Sequence, residues 1–190
     1  MTLPTTPSQT PPASVPGLWK PVLTRAVVAL VFGLVTIFWG SPSVQVLAWA
    51  VGLYLLATAG SLWVSRVLPA AVPVVVAIGG VGALVTQSDA GVALSAAAAL
   101  LVLGVLELVH ALRNRDSLTR DWLVSGVIAV GTAVALPFFI SLGAHALLGV
   151  AGGGAILSGV LWILSGLTLR HDAHTGNQAT APGASPEAVN

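Results

Sequence analysis

The stretch Glu107-Leu108-Val109-His110-Ala111-Leu112-Arg113-Asn114-Arg115 puts the one acid that stands well inside an apolar segment six residues ahead of the densest cluster of positive charge in the chain. Acids are costly inside a bilayer, and basic residues gather at one of its faces. This stretch therefore marks where a membrane segment ends and on which side. The other segments take their orientation from it.

Outward from this stretch, the composition excludes a soluble domain. Of 190 residues, 56% are hydrophobic and 7% are charged, against about a quarter charged in ordinary soluble domains. So few polar residues cannot cover a soluble core, and the apolar surface must face lipid. A formal net charge of +1, with no basic run interleaved with aromatics, excludes nucleic acid as a partner. The absence of cysteine excludes disulfides, thiolate metal sites and thiol nucleophiles together.

The fold class is an all-α membrane protein, a bundle of six transmembrane helices. The apolar runs cover 22–39, 44–64, a third segment that follows the 69–73 region and ends at Val85, 91–112, 122–140, and a long run after Ser141-Leu142-Gly143 that ends at Leu169. A helix needs about 20 residues to cross a hydrocarbon core of about 30 Å. The third run is the shortest, and Pro73 within it makes a kinked or partly re-entrant segment the rival reading there. Residues 1–18, rich in Pro, Thr and Ser, and residues 171–190 read as disordered tails flanking a single transmembrane domain at 19–170.

All seven Lys and Arg residues fall on one side once six crossings are drawn: Lys20, Arg25, Arg66, Arg113, Arg115, Arg120 and Arg170. The opposite turns, around residues 40–43, 86–90 and 141–143, hold none. Both termini are therefore expected in the cytoplasm. Basic inner loops alternating with short uncharged outer turns imply three repeated helical hairpins of about 50 residues each. Small-residue positions Gly52, Gly60, Gly149, Gly153, Gly159 and Gly166 are expected to carry helix packing, within the bundle or between protomers.

The candidate chemistry is sparse. Glu107 lies about 9 Å deeper than Arg113 at 1.5 Å per residue, and Arg25 stands at comparable depth on the first helix, so the two form a candidate intramembrane ion pair. One reading makes the pair structural. The other makes Glu107 a proton-sensitive switch, with His110 and His145 as further proton-sensitive candidates. His171-Asp172-Ala173-His174 has metal-like residue types in a tail without further ligands and is read as solvated. No catalytic constellation or phosphate loop can be assembled, so neither an enzyme nor a cofactor is expected.

Several segments carry a resemblance to a known family. They are Arg25 with the following AVVALVFGLVTIFWGSP, GLYLLATAG, Gly104 with VLELVHALRNR, Arg120 with DWLVSGVIAV, and AGGGAILSGVLWILSG. On these segments the chain resembles the HdeD-type acid-resistance membrane proteins, small bacterial six-helix proteins built from repeated helix pairs. The fifth segment departs from that pattern at Pro137. The resemblance implies residence in the bacterial plasma membrane and a link to acid or envelope stress, and it transfers no catalytic residue. A small-solute or ion permease, or an accessory subunit of a membrane complex, stands as the alternative. Lipid is the expected environment, with a homo-oligomer or a membrane partner left open.

Overall fold

The computed structural model describes residues 19–114 and 118–179. They form six α-helices, α1 (Trp19–Phe38), α2 (Val44–Ser65), α3 (Ala71–Thr86), α4 (Asp89–Arg113), α5 (Thr119–Phe138) and α6 (Gly143–Ala179), with a 3₁₀ turn at Ile140–Leu142. No strand occurs among the described residues. Arg115 and the expected tail segments 1–18 and 180–190 lie outside them.

The helix ends follow local chemistry. Ser43 and Ser88 cap α2 and α4, their hydroxyls accepting from the backbone N–H of Val46 (3.3 Å) and Gly91 (3.1 Å). Arg66 (φ 50) and Gln87 (φ 41) close α2 and α3 in the left-handed conformation, which turns the chain within a few residues. Gly143 (φ 78) does the same work between the 3₁₀ turn and α6, at a backbone angle that favours glycine.

Five helices, α1, α2, α4, α5 and the one that includes residues 140–171, are long and apolar enough to cross a membrane. Their outer surfaces show why water cannot be the solvent: Val31, Val127 and Leu157 are each more than half exposed, as is Ile78 on α3. The chain is a multi-pass membrane protein embedded in lipid. At 16 residues, α3 spans about 24 Å, short of the roughly 30 Å core.

Two expectations change here. Pro73 occupies the third position of α3, where the helix leaves N–H groups unpaired in any case, so it stands at the start of a helix and does not kink one. The chain after residue 170 is not a tail from the outset, because α6 continues to Ala179. Nothing between His171 and Thr175 breaks a helix, and the first glycine after them is Gly176.

The most extensive packing joins α4 to α5, α1 to α6 and α2 to α3, so that α1 against α6 closes the helices into a ring. Each of these three interfaces has glycines at close backbone approach. A Cβ on Gly52 or on Gly80 would stand 3.0 Å from the other's carbonyl oxygen, and the corresponding distances for Gly104 and Gly126 are 2.8 and 2.9 Å. A Cβ on Gly33 of α1 would stand 3.0 Å from the Gly152 carbonyl of α6. With no hydrophobic drive between helices in lipid, such close backbone approach supplies the packing.

Gly52, Gly159 and Gly166 are packing positions in this sense, the last two against Leu30 and Leu23 of α1. Gly60, Gly149 and Gly153 make no such contact within the bundle, since a Cβ on any of them meets nothing within 4 Å. The contact stripe of α6 runs through Gly152, Gly159 and Gly166 at seven-residue spacing, and Gly153, one residue on, is turned roughly 100° away from it.

Candidate functional site

The buried stripe of α4 includes Ala96, Leu100, Leu103, Glu107 and Ala111. These positions follow helical spacing, so Glu107 belongs to the inward face by register and is 0% exposed. Ser88 and Asp89 start the helix that presents it, and Asn114 ends that helix by bonding His110 O with its backbone and side-chain nitrogens.

Opposite stands Arg25, one and a half turns into α1. Its Nη2 donates to Glu107 Oε1 as a hydrogen-bonded ion pair. The α1 and α4 backbones make no close approach of their own, and the long guanidinium arm bridges them across the interior. The Arg25 side chain is 12% exposed, and desolvation leaves both charges dependent on each other.

Two tryptophans fence the guanidinium. Its carbon lies 4.8 Å from the ring centre of Trp162 on α6 and 5.7 Å from that of Trp122 on α5, within cation–π range. The two indoles meet edge to face at 4.8 Å and 71°, and Trp162 Nε1 donates to Ser125 Oγ at 3.1 Å. Tyr54 of α2 stacks on Phe32 of α1, with centres 4.3 Å apart and planes at 12°. The site thus gathers α1, α2, α4, α5 and α6 around one charge pair.

Arg25 Nη1 and Glu107 Oε2 have no protein partner. Beside the guanidinium is a cavity of about 20 Å³, bordered by Tyr54, Thr58, Ser125, Thr132 and Ser158. That volume admits one water molecule and no larger solute. A water there would satisfy a guanidinium N–H that is otherwise costly to leave unpaired.

The other proton-sensitive candidates are placed differently. His110 contacts Asn114 Nδ2 through Nδ1 at 3.0 Å and lies edge-on to Trp122 at 5.3 Å and 65°, at the rim of the site. His145 is exposed in the first turn of α6, at the opposite end of the bundle. His171 continues α6, and the side chains of Asp172 and His174 lie outside the described residues. Among the described residues no group of three or more His, Asp and Glu can hold a metal.

The aromatic shell is what the sequence reading missed. A tryptophan beside a basic loop ordinarily settles at the membrane boundary, yet Trp122 is buried at 6% exposure. Its signal was its register with Ser125, Gly126 and Ala129 on the buried face of α5. Trp49 is half exposed to lipid, whereas Trp162 is 1% exposed.

No curated protein and no solved structure matches the chain. Residues 72–138, from the second residue of α3 to the end of α5, match a short repeat of unknown function (DUF308). The matched segment holds Glu107, Trp122 and Ser125, while Arg25, Tyr54 and Trp162 come from helices outside it. On that segment the chain is similar to the repeat family that includes the HdeD-type proteins.

Proposed function

We propose that this is a non-enzymatic integral membrane protein of the bacterial plasma membrane that contributes to acid or envelope stress resistance. In this reading six crossings form three repeated helical hairpins, with both termini in the cytoplasm. The one-sided distribution of Lys and Arg supports that orientation. The short-repeat match supports the link to HdeD-type proteins.

The observation that carries the reading is the buried Arg25–Glu107 pair. Glu107 is bonded by Arg25 from α1, and His110 stands three residues along its own helix. A proton on Glu107 removes the attraction that ties α1 to α4 and leaves a guanidinium buried without its counter-charge. The bundle then loosens at its basic end, which converts acidity into a change of helix packing.

A permease reading draws on the polar slot beside Arg25, but a cavity of about 20 Å³ admits no solute larger than water. An accessory-subunit reading draws on Gly149 and Gly153, which lie exposed on the lipid face of α6.

The test is a deletion strain challenged at low external pH and complemented by wild type or by Glu107→Gln. The proposal expects rescue by wild type and loss of rescue by the variant at equal protein level. Equal survival of the deletion and the wild type would contradict it.

A further inference from the structure

Beyond the Gly52–Gly80 crossing, α2 and α3 leave a groove open on the lipid side. Small residues make it: Ala59, Gly60 and Ala77 border a cavity of about 500 Å³ together with Leu56, Trp63 and Pro73. A Cβ on Gly60 would meet nothing within 4 Å. Trp63 and Pro73 also border a second cavity of about 400 Å³, which reaches the basic end of the bundle at Arg66 and Ala70. The two adjoin at Trp63 and Pro73 to make a trough, each part the size of an ordinary small-ligand site of about 300–1,000 Å³.

The two ends of the trough differ in chemistry. Its upper part is apolar throughout. Its lower part holds Arg66, which is exposed and, among the described residues, has no ion-pair partner. The first turn of α3 borders the same space and no side chain caps it; Val72 N–H is taken by the Pro69 carbonyl and Pro73 has none, so the helix dipole is what adds positive potential there. No acidic residue borders either part. Trp63, 54% exposed at the junction, is the residue type that settles at headgroup level.

We infer that the α2/α3 trough binds an anionic glycerophospholipid, its phosphate held by Arg66 at the positive end of the α3 dipole, and an acyl chain laid along Gly60. The charge complementarity selects an anionic lipid over a zwitterionic one. This site is independent of the Arg25–Glu107 pair, and each stands or falls without the other.

The full chain, purified in detergent and titrated with dioleoyl phosphatidylglycerol or dioleoyl phosphatidylcholine, would be weighed with its bound lipid by native mass spectrometry. Wild type is expected to retain phosphatidylglycerol about fivefold better, the effect of one basic residue on an anionic headgroup. Arg66→Gln is expected to abolish that preference, and Gly60→Leu to lower retention of both lipids by filling the trough. Arg113→Gln, which removes an exposed charge from the same end, is expected to leave the preference intact. Equal retention of both lipids by wild type would overturn the assignment, as would an Arg113→Gln loss as large as that of Arg66→Gln. A dimer that holds no lipid and dissociates on Gly60→Leu would overturn it too, by showing a second copy in the trough.

Discussion

Arg25 of α1 and Glu107 of α4 are ion-paired across the middle of the helix ring although the backbones of their two helices stay apart. A side-chain contact therefore ties together elements that backbone packing leaves apart. Five of the six helices contribute to the shell around it, so changes at the pair reach most of the bundle.

Removing one partner should cost far more than removing both. Glu107→Leu leaves a buried guanidinium unpaired, and a loss of about 3–5 kcal/mol is expected. Arg25→Met combined with Glu107→Leu should recover most of that loss, because apolar groups of similar size fill the same space. Reversible unfolding in mixed detergent micelles, run as a double-mutant cycle, reads the difference.

The glycine contacts divide sharply into two sets. Gly104→Val drives a side chain into the Gly126 carbonyl and the backbone of α5, and about 1–3 kcal/mol of destabilisation or more is expected. Gly149→Val and Gly153→Val place the same atoms in open space, and changes within roughly 0.5 kcal/mol are expected. The same unfolding assay ranks the three variants.

Trp162→Phe keeps a ring beside Arg25 but loses the hydrogen bond to Ser125. A cost of about 1 kcal/mol is expected for that bond. Trp162→Ala also removes a fully buried aromatic side chain, with about 3–5 kcal/mol expected. Ser125→Ala should match the Phe variant, and combining the two should add little.

The proposed orientation puts Gly40, Ser88 and Ser141 outside the cell and both termini inside. Cysteines introduced singly at those three positions, in a chain that has none of its own, should react with a membrane-impermeant maleimide on intact cells. A cysteine at Asn114 should react only after permeabilisation.

The depth of the charge pair is legible in the sequence because Arg25 stands six residues after the start of α1 and Glu107 six before the end of α4. Helix ends are legible for a similar reason, since serine caps and polar turns interrupt the apolar runs. Which face of each helix turns inward is not. In a bilayer the lipid side and the packed side are both apolar, so the hydrophobic period that sorts faces in a soluble protein is missing. Gly149 and Gly153 were indistinguishable from Gly152 and Gly159 on that ground, and Trp122 from an interfacial tryptophan. The continuation of α6 past Arg170 was hidden because polarity marks the end of a membrane segment and says nothing of where the helix itself stops.

The tie between α1 and α4 is tested most directly by the yield of crosslinking with a short bifunctional maleimide, which spans the gap between the two backbones, between cysteines placed at Val22 and His110, near the basic end of the two helices, measured in membranes across external and internal pH. In the wild-type background the yield should change as acid reaches Glu107. With Glu107→Gln it should hold the acid value at every pH, after correction for thiol reactivity with a pair placed at Leu30 and Ile156. Identical pH dependence with and without Glu107 would contradict the claim that this carboxylate governs the packing of the bundle.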